Sequence, residues 1–504
     1  MQFKEINRDQ TCLLPQSIKE LIPEKDCLHS ILNVVDKLDI SKIEQKYDNT
    51  GQHAYHPKMM IAIVFYAYSK GIFSSRSIEE AVRYDVRFMY ITGRYRPSFN
   101  RICEFKRKNY DELSDCFTQI VRLCLQLGVA TFESISVDGT KLGASASRKK
   151  NKSREAIEKE LSEIKEKLQQ IIDHGQHIDE IECDGDILSL DEAERAELEE
   201  RQAKLEQAKA VLDADEKQTV INMTDLDCRE QSGVGPGFNA QAAASSEYYI
   251  LGADVVSDPN DAKQLIPMIE QVEHNTRSEG QKKAVNADAG YASGRNFLSL
   301  RDFAHIDAYI PPALLHQPRP LFHKDNFDFD ATHLTCSCPL NKPMKLYSRE
   351  KRYGVMTYRF SGTVCTDCPA KHLCTSSKRR TVRFSEADYL TKAMTDKMRT
   401  PFGKRAMRER RQTIEPIFGI IKSHLGFKEF LHRGLEKVRG EFKLVCAAFN
   451  LKKLHKDLIA LGNVGVLPQL ANIISSFLLF ISKICKTAVF TFRSGIYSTL
   501  SQSF

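Results

Sequence analysis

Glu133-Ser134-Ile135-Ser136-Val137-Asp138, followed by Gly139-Thr140, alternates polar and apolar residues and ends on an acid before a glycine. That alternation has the period of a half-buried β-strand. A second stretch, Ala284-Val285-Asn286-Ala287-Asp288-Ala289-Gly290-Tyr291, reads the same way: a short apolar strand, an aspartate and a glycine turn. Further strands are expected at Thr219–Met223, around Phe238–Ala244, at Tyr248–Val256 and at Ala308–Ile310, with helices from Asp261 to about Asn275 and from near Gly294. Strands mixed with helices give an α/β fold, whose core is assigned to residues 131–148 and 217–330.

On the N-terminal side, residues 1–130 read as a helical domain. Met59, Ile61, Ile63, Val64, Phe65 and Tyr68 mark a largely buried helix from Pro57 to Ser69. Ser77-Ile78-Glu79-Glu80 reads as a capping box opening the next helix, and Ser98 as the cap of a third, Phe99 to Asn109. That third helix carries Arg101, Lys106, Arg107 and Lys108. A helix-turn-helix-like reader offering these groups to DNA and a plain bundle with a solvated basic face fit the pattern equally.

Residues 149–216 are rich in Lys, Glu, Gln and Ala. Ile157, Leu161, Ile164, Leu168 and Ile171 mark one apolar stripe, and Leu198, Leu205 and Leu212 another at seven-residue spacing. This is a helical hairpin or coiled coil inserted into the core, expected to serve as an arm or in dimerisation rather than DNA contact. Residues 331–385 form a cysteine-rich insert. Residues 386–460 return to helix, with Ile414, Ile417, Phe418, Ile421 and Leu425 on one face. The tail, 461–504, is apolar between Leu470 and Phe492 but interrupted by polar residues and lysines. It is expected to pack on the body or a second subunit rather than to span a membrane.

The chain of 504 residues is 42% hydrophobic and 28% charged, with a net charge of +7. That excess is too small to prove a nucleic-acid partner by itself. Fourteen cysteines occur without a secretory signal at the N-terminus, so the expectation is a cytoplasmic protein with reduced thiols, in which clustered cysteines point to metal.

Three acids stand out by context: Asp138 and Asp288 after apolar strands, and Glu415 within an amphipathic helix. Phosphoryl transfer on DNA needs two divalent ions about 4 Å apart, one activating the attacking oxygen and one stabilising the leaving oxygen. Two or three carboxylates suffice to hold Mg²⁺. Any one of these acids alone is more often a turn former or an ion-pair partner.

Around them run Ser136-Val137-Asp138-Gly139-Thr140, Gly237-Phe238-Asn239-Ala240-Gln241, Asp258-Pro259-Asn260-Asp261 and Ala287-Asp288-Ala289-Gly290-Tyr291. Further on come Arg411, Glu415, Phe418-Gly419 and Lys422, then Arg433-Gly434, Val438, Glu441 and Asn450-Leu451. In these stretches the chain resembles insertion-sequence transposases of the IS1182 type, in the IS5/IS4-like DDE group, over roughly residues 50–460. The resemblance implies an RNase H-like catalytic core with Asp138, Asp288 and Glu415 as the metal-binding triad for two Mg²⁺ (or Mn²⁺) ions. It implies double-stranded DNA as partner, both the element's inverted repeats and target DNA, and cleavage with strand transfer. Paired ends imply a homodimer or larger assembly, nucleoid-associated in a prokaryote. Arg411 and Lys422 match the arginine and lysine of a Y-R-E-K signature whose tyrosine position is Arg408 here. Arg411, a turn before Glu415, is expected to steady that carboxylate or bind phosphate, and Lys422 to reach the DNA backbone. Gly237, Phe238, Asn239 and Gln241 line the same cleft or form a turn and edge strand. Two rivals share these features: a DDE-related nuclease without strand transfer, and a degenerate transposase kept as a DNA-binding protein.

Cys336-Ser337-Cys338-Pro339, Cys365-Thr366-Asp367-Cys368-Pro369 and Cys374 offer five thiols for a structural zinc site of four; the alternative is buried reduced thiols. A basic run follows, with Lys378, Arg379, Arg380 and Arg383, then Lys404, Arg405, Arg408, Arg410 and Arg411. It reads as a track for the DNA backbone, contributed chiefly by Arg379, Arg380, Lys404, Arg405 and Arg408.

Overall fold

Backbone pairing around the Asp138 strand organises the larger of two compact units into which the chain divides, residues 130–446; the other comprises residues 1–129 with 447–504. The computed structural model describes residues 17–47, 54–178, 185–215, 218–312, 320–331, 333–352 and 355–462. The apolar stretch from Leu470 to Phe492 lies outside the described residues. Among the described residues no helix is long and apolar enough to cross a membrane.

The first unit is helical: α1 (Cys27–Lys37), α2 (Ser41–Glu44), α3 (Pro57–Ser69), α4 (Ser75–Tyr84), α5 (Val86–Thr92), α6 (Phe99–Lys108) and α7 (Tyr110–Gln126). Every residue of α3 from Met60 to Ser69 is buried, as its nearly unbroken apolar run requires. Asp26 links the bundle: it caps the Leu28 amide at 3.0 Å, accepts from Tyr66 of α3 at 3.3 Å and holds Arg87 of α5 at 2.9 Å. The expected capping box does not open a helix. Helix α4 starts earlier, at Ser75, so Ser77 and Glu80 lie inside it. Glu79 instead accepts from the Phe99 amide at 3.0 Å. It thereby satisfies the free N-terminus of α6 that Ser98, without a side-chain cap bond, leaves open.

The second unit runs β1 (Ser134–Gly143), β2 (Asn151–Ser153), α8 (Arg154–Ile178), α9 (Gly185–Ala214), β3 (Val220–Asn222), β4 (Arg229–Gln231), β5 (Gly235–Ser245), β6 (Ile250–Val256), α10 (Leu265–Thr276), β7 (Lys283–Ala287), α11 (Gly294–Asp302) and β8 (Ile306–Tyr309). It continues with β9 (Asp328–Asp330), β10 (Thr335–Ser337), β11 (Pro343–Arg352), β12 (Val355–Gly362), the single turn α12 (Lys371–Cys374), β13 (Thr381–Ser385), α13 (Glu386–Arg399) and α14 (Pro401–Gly419). Helix α15 (Leu435–Ala460) carries the chain from this unit into the first.

The mixed sheet has the order β4-β5-β1-β7-β8, with β6 also on β5. Strand β5 is antiparallel to β1 and to β6, whereas β7 is parallel to β1 and β8 to β7. Strand β1 runs on past the expected end at Asp138 to Gly143, because β5 pairs with it throughout, from Ile135↔Ser245 to Gly143↔Gly237. Helices α8 and α9 enclose their own apolar seam, Ile157, Leu161 and Ile164 against Leu205, Ala208 and Leu212, and β2 and β3 pair at its base. A separate antiparallel sheet has the order β13-β12-β11-β10-β9.

Strand β7 is anchored at its start by a buried charge pair. Lys283, fully buried, donates to Glu273 of α10 at 2.5 Å and to the Ser278 carbonyl at 2.8 Å, and His305 meets the same Glu273 oxygen at 2.7 Å. Removing one partner from a buried pair strands the other charge. Lys283→Ala should therefore lower stability by about 3–5 kcal/mol in urea unfolding. The double variant Lys283→Met with Glu273→Leu should recover most of that loss; equal losses for both would show that packing, not charge, anchors β7.

Candidate active site

Parallel pairing of β1 with β7 runs in register from Ser134↔Ala284 to Val137↔Ala287. Asp138 and Asp288 are each the next residue, so the two aspartates stand side by side where β7 ends and β1 continues. Helix α14 lies over this sheet with Thr413, Ile414, Ile417 and Phe418 buried, which turns Glu415 toward solvent, half-exposed. Between them stands Arg410. Its guanidinium donates to Asp138 Oδ2 at 2.9 Å and to Glu415 Oε1 at 3.3 Å, and it is itself only 11% exposed. Burial pushes the Asp138 carboxyl up to about 6; Arg410 opposes the rise and the neighbouring Asp288 charge adds to it.

A polar cluster backs the two aspartates. Asp261 Oδ1 accepts from Asn239 Nδ2 and Gln241 Nε2, both at 2.7 Å. Tyr291 donates to Gln241 Oε1; burial, and then the Asp261 charge, hold its phenol well above the usual range. Asn239 and Gln241, fully buried, are two residues apart on β5 and share one face. The cluster fills the space beside the glycines that follow each aspartate. A Cβ at Gly139 would meet Gln241 Nε2 at 2.3 Å and Asp261 Oδ1 at 2.6 Å, and one at Gly290 would meet Asp288 Oδ1 at 3.0 Å and Asp261 Oδ2 at 3.4 Å. Lys141 reaches the Pro259 carbonyl at 2.6 Å and Asp261 at 3.6 Å. Lys422 lies where α14 loosens into a π-helical turn, Ile420–His424, and donates to the Lys141 carbonyl at 2.9 Å. Burial lowers the pKa of both lysines.

The structure rearranges several expected roles. Arg411, expected to steady Glu415, instead faces the Met407 carbonyl at 3.5 Å and is exposed; Arg410, one residue earlier, points inward and takes that contact. Lys404, Arg408 and Arg411 share with Glu415 one exposed stripe of α14, at helical spacing, and Arg405 is exposed beside it. In the first unit Arg101, Arg107 and Lys108 are exposed on α6. Lys106 is a correction: it is buried, with its ammonium 3.5 Å from both the Tyr68 hydroxyl and the Phe73 carbonyl, so it is withdrawn from any DNA-facing surface. Arg379 is exposed, but Arg380 bonds the Cys374 and Phe322 carbonyls. Asp261 and Arg410 were not read as site residues from the sequence. Asp261 closes one of the stretches that carry the resemblance, and Arg410 sits in the basic run, but neither signal says which way the side chain turns.

Among the described residues no three His, Cys, Asp or Glu side chains lie close enough together to hold a metal ion as they stand. The geometry gathers two carboxylates on one guanidinium and sets a third acid beside them.

A family model described as a transposase DDE domain matches residues 337–455, and one described as a transposase domain (DUF772) matches residues 16–108. No curated protein and no solved structure matches the chain. The two domains occur in the order typical of one kind of mobile-element enzyme, and they contain α6 and the Glu415 helix described above. The chain belongs to the insertion-sequence transposases of the IS1182 type.

Proposed function

We propose that this transposase binds the inverted repeats of its element through the helices of residues 55–110, and that it cuts and rejoins DNA with Asp138, Asp288 and Glu415 as the catalytic carboxylates. One observation carries the reading: the parallel β1–β7 register sets Asp138 and Asp288 side by side, and Arg410 ties Asp138 to Glu415 on the helix above. The sheet order supports an RNase H-like core, with three antiparallel strands β6-β5-β1 followed by the parallel β7 and β8.

The donor set fits hard divalent ions. All three groups are carboxylates, and burial of Asp138 leaves a charge that a cation would relieve. When bound at Asp138, Asp288 and Glu415, two Mg²⁺ or Mn²⁺ ions supply activation of the attacking oxygen and stabilisation of the leaving one. The chain's own residues do the rest. Arg410 balances the charge of two carboxylates. The Asn239–Gln241–Asp261 cluster packs against the backbone that follows each aspartate, at Gly139 and Gly290. Lys404, Arg405, Arg408 and Arg411 on α14, with Arg101, Arg107 and Lys108 on α6, face solvent where backbone phosphates bind, which makes affinity fall steeply with salt. Synapsis of two ends calls for a dimer or larger assembly.

Three outcomes test this. Asp138→Asn, Asp288→Asn and Glu415→Gln should each reduce cleavage of inverted-repeat DNA by about a hundredfold or more while gel-shift binding persists; cleavage at the parent rate in any of them removes that residue from the triad. A strand-transfer assay on the parent chain should yield joined products, whereas hydrolysis alone would mark a nuclease. The third outcome is a pH dependence. A carboxyl raised in the folded state favours folding fully below its unfolded value, and that contribution is lost as pH rises through about 6. Without divalent ions, Asp138→Asn should therefore raise the unfolding free energy above pH 6 by on the order of 2 kcal/mol in urea unfolding, and the gain should vanish toward about pH 4. Arg410 lowers the same pKa, so Arg410→Gln should move the acid limb of the cleavage profile to higher pH.

A further inference from the structure

The cysteine-rich sheet has no part in the carboxylate site, and its five thiols are not equivalent. Strand register decides where each goes. Ser337 pairs with Pro343, Met344 with Gly362, and Ser361 with Thr381. The β10–β11 turn, the end of β12 and the start of β13 therefore meet at one end of the sheet. Cys338 sits in that turn, which is closed by Asn341 N to Cys338 O at 2.8 Å and Cys338 N to Lys342 O at 2.9 Å. Cys365, Cys368 and Cys374 lie on the connection from β12 to β13, which begins and ends there. All four line a single pocket. Cys336 pairs across from Met344 within the sheet and is buried in the apolar core with Phe329, Phe360 and Phe384; its sulfur is 3.8 Å from that of Met344.

We propose that Cys338, Cys365, Cys368 and Cys374 form a structural zinc site at this end of the sheet, and that Cys336 is not a ligand. Four thiolates close a tetrahedral shell, which is the chemistry of a structural rather than a catalytic ion. Two turns, one carrying Cys338 and one carrying Cys365-x₂-Cys368, are the kind of knuckle that presents thiolates to one ion. Four thiolates on Zn²⁺ leave a net charge of minus two, and Arg380 and Lys342 line the same pocket. The Arg380 Nε–H is buried there without a hydrogen-bond partner, so it is available to a thiolate sulfur. Gly362 also belongs to the design, because a Cβ there would meet Cys365 Sγ at 2.2 Å. The four sulfurs line the pocket walls without sharing one point as they stand; bonds of about 2.3 Å would draw them inward, with release of the thiol protons to solvent.

The test is metal analysis of the full chain expressed with zinc and freed of loosely bound ions. About one zinc per chain is expected. Cys338→Ser, Cys365→Ser, Cys368→Ser and Cys374→Ser should each cut retained zinc by about tenfold, whereas Cys336→Ser should leave it unchanged. Because a serine variant that loses the ion can misfold, the unmodified chain is also reconstituted with Co²⁺, whose tetrahedral thiolate complex gives intense visible bands. A parent chain that retains no zinc and shows no such bands overturns the proposal. So does loss of zinc in Cys336→Ser, or an iron–sulfur chromophore in place of zinc. Inactivity of the carboxylate variants leaves every one of these readouts unaffected, so the two proposals fail separately.

Discussion

Arg410 is the point at which the site's opposing electrostatic demands meet. The α/β core gathers acids on purpose: β1 and β7 leave their shared register with an aspartate each, and α14 carries a glutamate over them. Carboxylates placed together in a partly buried site repel one another and lose solvation. A guanidinium bonded to Asp138 and Glu415 at once reduces both costs and fixes their relation. Its own burial follows from α14 lying flat on the sheet, with Ile414 and Ile417 fully buried.

The second constraint is space. Strand β5 is made largely of small residues, Gly235-Pro236-Gly237 and then alanines around Asn239 and Gln241, and is buried along its whole length. Its short side chains leave room on the sheet face, where side chains stand, for the amides of Asn239 and Gln241 within the buried interior. They are satisfied by Asp261 and Tyr291, as buried polar groups must be. The same cluster presses on Gly139 and Gly290, so the strand backbone after Asp138 and the turn after Asp288 are both set by contacts from residues distant in sequence.

Under the function proposed above, each of the two units would contribute a basic helix face to DNA. The helical unit presents Arg101, Arg107 and Lys108 on α6, and the α/β unit presents Lys404, Arg408 and Arg411 along α14. Both sets are exposed and belong to helices whose opposite faces are buried. Long cationic side chains on a rigid, half-buried helix are ordered enough to follow a phosphate backbone yet remain hydrated and salt-sensitive. Lys106 shows the limit of reading such a face from composition: it sits amid basic residues but turns into the bundle against Tyr68.

Local pattern determined a good deal of this protein. Helix α3 appears from Pro57 to Ser69 as its apolar run and proline start dictate, and the hairpin seam of Ile157, Leu161, Ile164, Leu205 and Leu212 follows its spacing. Strands around Asp138 and Asp288 were legible because alternation and glycine turns are local signals. The tertiary structure alone decided that β1 continues past Asp138, since its partner β5 lies a hundred residues away. It also decided that Arg410 rather than Arg411 faces Glu415, because one residue on a helix turns a side chain by about 100° and only the packed sheet says which direction is inward. The separation of Cys336 from four other thiols has the same origin: identical residues two positions apart in a strand and a turn end in a core and a pocket once the register is fixed.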